Sequence, residues 1–375
     1  MTLSDKTISV SVAVIGGGPA GSSVALSLAR QGVSVALIEQ SAYAEWKIGE
    51  SVPPACKPLL QTLGVWEQLC QDGHLPSYGT CSAWGSSHLH DQSYLFDPHG
   101  HGWHLDRQQF DQALSDAACA AGAMVFRPAR FTNCTRTSTG RWALTVQLTA
   151  GNTCTLSTSF VVDAGGRKRP FACRQRTSID TYDRLVGAVA LLEAGNGAID
   201  RDASTLVEAM PEGWWYAARI PRDKLVVAYL SDGDLVTTQR ARTPVGWRTL
   251  VDETTHLRQR LEAHRYYVQV PPRVVSASSS RLSQVSSTSW LAVGDAAATY
   301  DPLSSQGILS ALLTGLRATR AIQAILGGKP SEANVYAAYV DLLYAEYLQN
   351  RTAYYAMEQR WPRSLFWQRR HAGTR

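Results

Sequence analysis

The sequence predicts an α/β fold: a parallel β-α-β core, antiparallel sheet threaded through it, and a helical C-terminal stretch. Three observations predict it. An apolar run (SVSVAVI, residues 9–15) leads into a glycine-rich turn and then into helical spacing. Strand patterns separated by turn signals fill much of the middle of the chain, and from residue 305 the pattern is helical almost to the end.

The elements follow in order. Residues 9–15 alternate and then become wholly apolar, as a buried parallel strand does. Residues 19–31 carry Val24, Leu26 and Leu28 on a helical pattern, with Gly32 as its stop. VSVALIE (33–39) is a second apolar strand ending in an acid, which completes a β-α-β unit. Residues 105–122 read as an amphipathic helix with a glycine stop. About four strands follow, with turns expected at Thr139-Gly140 and Ala150-Gly151-Asn152. Strands are expected at 184–190, 214–220 and 224–230, the last two joined by a Pro221-Arg222-Asp223 hairpin turn.

Composition excludes several classes. A chain of 375 residues, 45% hydrophobic, can bury a full core of one large or two modest domains. A net charge of +5 without a concentrated basic patch does not favour nucleic-acid binding. Seven cysteines at unrelated spacings, with no C-x-x-C pair, read as thiols in a reducing compartment. The N-terminus shows no charged-then-apolar signal pattern, and no stretch approaches the length of an apolar membrane span. The expectation is a soluble cytoplasmic protein with no membrane partner.

In GGGPAG, Gly16, Gly18 and Gly21 match G-x-G-x-x-G, with Pro19 and Ala20 inside the turn. The first glycine permits the tight turn, the second lets a pyrophosphate approach the backbone, and the third lets helix and strand pack closely. Glu39, followed by Gln40, closes the second strand 23 residues after Gly16, where a carboxylate can accept from a ribose diol. Residues 290–310 (WLAVGDAAATYDPLSSQGILS) separate FAD from NAD. A strand ends at Gly294-Asp295, and Asp295 can accept from a ribitol hydroxyl, a group NAD lacks. Pro302, Ser305, Gln306 and Gly307 then lead into a helix whose bare N–H groups would face the flavin pyrimidine. Arg107, in GWHLDRQQFD, can bridge toward the flavin linker. No second nucleotide fingerprint appears, so NAD(P)H would bind only transiently or another reductant would act.

These three motifs, in this order, resemble the flavoprotein monooxygenase superfamily related to p-hydroxybenzoate hydroxylase. The resemblance spans the full length. It implies a glutathione-reductase-like FAD-binding domain (1–79, 104–174 and 271–330), an interwoven antiparallel-sheet substrate domain (80–103 and 175–270) and a helical extension (331–375). KIGESVPP (47–54), YDRLVGA (182–188), GWWYAARIP (213–221) and RWPRSLFWQRRH (360–371) resemble a narrower branch. That branch holds the flavin-dependent halogenases and the LodB/GoxB-type maturases of cysteine tryptophylquinone oxidases.

The halogenase pattern departs in two places. Trp214-Trp215-Tyr216-Ala217-Ala218-Arg219-Ile220-Pro221 has the wrong spacing for W-x-W-x-I-P. The strand leading to Trp84 reads YGTCSAWG where the pattern puts a lysine; Lys47 precedes the GES segment and Lys57 follows it closely. Oxygen insertion from O2 is therefore expected. The resemblance implies hydroxylation of a tryptophan in a partner, the precursor of a quinone-cofactor oxidase. A hydroxylase of free aromatics, a halogenase and a flavin-binding chaperone are the alternatives.

Candidate catalytic residues are Glu50 and Trp214. Glu50 either faces the active site or is a helix-start acid beside Pro53-Pro54. Trp214 and Trp215 point to opposite faces of a strand, so one can line a cavity unless both are core. His88, His90, His99, His101 and His104 crowd one segment, as a loop, a substrate-facing patch or a metal set; no cysteine completes a metal geometry, and none is expected. The arginine- and aromatic-rich tail at 360–371 reads as a partner-docking segment or as packing on the body of the protein.

Overall fold

The computed structural model describes residues 7–148 and 151–372. Residues 1–6, on which part of the signal-peptide reading rests, and residues 373–375 lie outside the described residues. So does Ala150 of the expected turn.

The first strand, Thr7–Ile15, lies between two parallel neighbours, Val35–Ile38 and Thr153–Asp163. Val12, Ala13 and Val14 are wholly buried, which explains why the run loses its alternation. Met124–Phe126 extends this sheet beyond Val35–Ile38. On the other side the long strand Thr153–Asp163 forks. Its first half pairs antiparallel with Trp142–Leu148, which carries Ala129–Arg136, and its last residues pair parallel with Trp290–Ala292.

Helix Pro19–Arg30 covers this sheet with proline in its first turn, and Gly32 follows its end at φ +75°. Its buried Ala, Gly and Ser residues let a second helix, Gly307–Leu326, come close. A Cβ on Gly315 would stand 2.1 Å from Ser23 Oγ and 3.0 Å from the Ala20 carbonyl oxygen. Helix Arg107–Ala120 begins where the Asp106 carboxylate accepts from the Gln108 and Gln109 N–H groups.

A second seven-stranded sheet runs in the order Tyr267–Ser276, Leu185–Glu193, Lys224–Asp232, Gly213–Ile220, Thr205–Met210, Gly79–Ala83, His90–Ser93. The expected hairpin closes through Pro221, Arg222 and Asp223, the last two at positive φ. One face of this sheet packs Trp215, Tyr229 and Trp247 under helices Pro244–Asp252 and His256–Ala263. The opposite face turns toward the first sheet and the C-terminal helices.

Those helices, Glu332–Met357 and Leu365–His371, correct the reading of the tail as a docking segment. Trp367 is fully buried, 5.3 Å from the Trp84 ring, and its Nε1 donates to the Met210 carbonyl at 2.9 Å. Arg369 binds Asp232 and Asp234, both at 2.7 Å, and Arg370 binds Asp232 at 2.8 Å. These rings and charges are spent on the chain's own second sheet. Trp367→Ala is expected to lower unfolding free energy by about 3–5 kcal/mol, as a large buried aromatic does. Urea unfolding checks this, and unchanged stability would contradict the clasp.

Candidate functional site

A cavity of about 710 Å³ opens between the two sheets and gathers residues far apart in sequence. Gly16, Gly18, Pro19, Ala20, Glu39 and Gln40 line one end. The three glycines differ in their surroundings. Gly16 sits at φ +109°, where a Cβ would meet the Ala164 carbonyl oxygen at 2.2 Å. Gly21 stands behind the wall, and a Cβ there would lie 1.9 Å from the Gly16 carbonyl oxygen. Gly18 has no atom within 4 Å of a Cβ position, so its backbone faces open space. The helix that starts at Pro19 has no side-chain cap, which leaves N–H groups free for an anion. Glu39 accepts from Gly17 N at 2.6 Å and from Ser41 N at 2.7 Å, one bond to each oxygen. A carboxylate has further acceptor directions, and Glu39 keeps them at the cavity wall.

Asp295, Pro302, Ser305, Gln306 and Gly307 line the opposite stretch of the same cavity. Helix Gly307–Leu326 starts there without a side-chain cap, and a Cβ on Gly307 would meet nothing within 4 Å. Burial pushes the Asp295 carboxyl up, against the pull of Arg167, Arg169 and Arg107. This loop is braced from behind by residues not singled out from sequence. Asp301 accepts from Leu303 N–H at 2.9 Å and from the Tyr355 hydroxyl at 2.8 Å, and Arg351 lies 3.5 Å away. Asp301 N–H donates to the Tyr347 hydroxyl at 2.8 Å. The repeated tyrosines of helix Glu332–Met357 were the available signal.

Arg107 lines the cavity but spends most of its donors on the protein. It donates to both Asp111 oxygens at 3.0 and 3.1 Å, and to the Ile48 and Gly49 carbonyls at 3.0 and 2.9 Å. It thereby fixes the 47–51 segment into the wall. Lys47 also lines the cavity, its ammonium 3.0 Å from Asp111. Lys57 instead lies over the Trp66 ring.

Glu50 is 2% exposed and faces this cavity. Its Oε1 accepts from the Tyr216 hydroxyl at 2.5 Å and its Oε2 from Gly49 N–H at 3.0 Å. Burial pushes the Glu50 carboxyl up, only partly offset by Tyr216 and Arg107, while burial and then Glu50 raise the Tyr216 phenol. Beside the pair, on the sheet face that carries Tyr216, runs an apolar wall of Gly187, Val189, Val226, Ala228 and Leu230, continued by Ala277.

Trp214 is not part of this site, which corrects its placement as a cavity residue. It shares the strand face of Tyr216, but Trp84 and Tyr355 cover it completely, and its Nε1 donates to the Tyr355 hydroxyl at 3.2 Å. Tyr216, two residues on, is the aromatic of this strand that reaches the cavity. Of the clustered histidines, His104 is fully buried, and among the described residues no group of three ligating side chains gathers for a metal.

Residues 9–339 match the model of the FAD binding domain family. LodB of Marinomonas mediterranea, which carries the name of an FAD-dependent oxidoreductase, is 29% identical over 363 residues, 96% of each chain. The myxobacterial chondrochloren halogenase CndH superposes with a TM-score of 0.88 at 22% identity, over 97% of this chain and 86% of that one. The peptidyl tryptophan dihydroxylase QhpG, described as essential for tryptophylquinone cofactor biogenesis, superposes at 0.72 and 22% identity, over 96% and 78%. The cofactor is FAD. The cavity fits it, with two uncapped helix starts, open space beside Gly18 and Gly307, and an acid at each end.

The two glycines predict opposite defects. Gly18→Val projects into open cavity and is expected to abolish FAD retention while the melting temperature of the apoprotein stays within a few degrees. Gly21→Ala strikes backbone and is expected to destabilise the fold itself. Flavin absorbance after desalting, beside thermal unfolding, separates the two.

Proposed function

Because this chain belongs to the FAD binding domain family, we propose that it is an FAD-dependent monooxygenase that hydroxylates a tryptophan side chain in a partner polypeptide. The partner would be the precursor of a quinone-cofactor oxidase. The observation that carries the reading is the buried Glu50–Tyr216 pair set against a wall of small apolar side chains. Bound FAD supplies the redox chemistry, taking electrons from a reductant and activating O2.

The chain's own residues have a limited task. An indole is electron-rich enough to accept oxygen without prior deprotonation, so no strong base is required. Gly187, Ala228 and Leu230 would pack the ring and exclude water. Glu50, its carboxyl raised by burial, would give a proton to the incoming oxygen, and the proton leaving the ring carbon would restore it. Tyr216 orients the carboxyl. Likeness to LodB over nearly the whole of both chains, and of fold to QhpG, supports a peptidyl tryptophan over a free aromatic.

Halogenation is the second reading, favoured by Lys47 in the cavity wall and by the fold shared with CndH. Against it, the Lys47 ammonium is already bound by Asp111. With a tryptophan-containing precursor, reductant, O2 and bromide, mass spectrometry should find oxygen added to the peptide, no bromine, and no product from free tryptophan. Brominated product would install the second reading. Glu50→Gln and Tyr216→Phe should each cut hydroxylated product on the order of 10²-fold, as loss of an acid–base group does. FAD content should not change, and full activity in both variants would remove the pair from the chemistry.

A further inference from the structure

Strand Leu185–Glu193 carries a glycine, Gly187, that lines the cavity. A glycine weakens a strand, because it has no side chain to pack and loses more backbone freedom on folding. Gly79, Gly102 and Gly213, the other strand glycines among the described residues, are each required by a close approach. A Cβ on them would stand 2.4, 2.6 and 2.4 Å from a backbone oxygen. Gly187 differs. Its φ lies outside the left-handed region, and the three atoms nearest a Cβ are all side-chain ends. These are Leu230 Cδ1 at 3.1 Å, Val189 Cγ2 at 3.3 Å and Val275 Cγ2 at 3.8 Å. Neither backbone conformation nor a neighbouring backbone demands glycine here, and a bare strand backbone on a cavity wall is where a ligand approaches closely.

The sheet register extends this bare patch in one direction. Gly187 stands opposite Leu230 on one side and Val275 on the other. Ala228, two residues before Leu230, stands between Val189 and Tyr216. Gly187 and Ala228 are thus diagonal neighbours on the cavity face, about 7–8 Å apart by strand geometry. Val189, Leu230, Val275 and Tyr216 border the pair with larger side chains. Where protein covers this same face, the space is filled, as at Trp214 beneath Trp84 and Tyr355. Where the cavity covers it, the hollow starts beside Tyr216, the partner of Glu50, and runs toward the edge strand Tyr267–Ser276.

We propose that Gly187 is a specificity-determining residue: with Ala228 it seats a flat two-ring aromatic, one ring over Ala228 beside Tyr216 and the other over Gly187. A single ring fills only the Ala228 half. The second ring leaves water and touches the bare peptide plane, from which any side chain at 187 would hold it off. The strand forgoes the packing of an alanine and gains room for an indole. The role rests on the reading of this cavity as the seat of a tryptophan side chain, and it assigns the part of the wall that measures the ring.

Gly187→Ala separates this role from a structural one. The added methyl meets only the movable ends of Leu230 and Val189, and alanine suits an extended strand better than glycine. The melting temperature should therefore hold or rise, with FAD content unchanged. N-acetyltryptophanamide and N-acetylphenylalaninamide, titrated into the FAD-loaded protein and followed by ligand-observed NMR, report ring binding without turnover. Gly187→Ala is expected to weaken the tryptophan amide about tenfold or more and the phenylalanine amide about threefold at most, as one methylene does in an apolar pocket. Ala228→Val, whose β-branched side chain suits a strand, fills the half that both rings use and should weaken both amides. Unchanged binding in either variant, or equal weakening of both amides by Gly187→Ala, overturns the proposal. So does a large fall in the melting temperature of Gly187→Ala, which would mark a packing glycine, or loss of its FAD, which would give the surface to the cofactor. The expected discrimination with no oxygen added to the precursor would leave the seat in place and overturn the hydroxylation reading. Oxygen added equally by the native protein and Gly187→Ala at limiting precursor would overturn the seat alone.

Discussion

The site depends on a contact with no room in it. Gly16 touches the Ala164 backbone, and Gly21 touches Gly16, at separations that no Cβ could occupy. The central strands Thr7–Ile15 and Thr153–Asp163 therefore end side by side, with helix Pro19–Arg30 drawn hard against them. A second approach repeats the device at Gly315, where helix Gly307–Leu326 presses on Ser23 and Ala20. The two uncapped helix starts that face the FAD cavity are thus fixed relative to one another by direct backbone packing. Preorganised partial charge of this kind stabilises an anionic group without the cost of rearranging to meet it.

The rest of the cavity is held by buried charge. Asp111 anchors Arg107 and Lys47 and through them the segment bearing Glu50. Asp301 collects Arg351, Tyr355 and the Leu303 N–H, and so ties the loop before Gly307 to helix Glu332–Met357. Tyr355 also contacts Trp84, Trp214 and Trp367. The C-terminal clasp and the cofactor loop therefore share one aromatic-and-carboxylate network. An unpartnered charge at such depth is costly, so each of these carboxylates demands its arginine or its N–H groups.

Much of this was legible in the sequence because it is local. The glycine turn, Glu39, the hairpin at Pro221–Asp223 and the Asp295 motif each declare themselves within a few residues or at a fixed spacing. What escaped depends on distant partners. Arg369 reads as an interface arginine until Asp232, 137 residues earlier, is seen to bind it. Trp214 and Tyr216 share one strand face, and only the position of the tail decides which of them reaches the cavity. Lys47 precedes the GES segment in sequence, yet Asp111 draws it into the wall. Arg351 carries no local signature at all, since its role exists only in its ion pairs to Asp183 and Asp301 on other elements.

The central claim is that this flavoprotein inserts oxygen from O2 into a tryptophan held in another polypeptide. Turnover of the precursor under isotopically heavy dioxygen in ordinary water, followed by peptide mass spectrometry, tests it most directly. Heavy oxygen on the tryptophan ring, with label lost when the reductant is omitted, is the predicted result. Oxygen of solvent mass on that ring, or an unmodified precursor that merely stays bound to the flavoprotein, would contradict it.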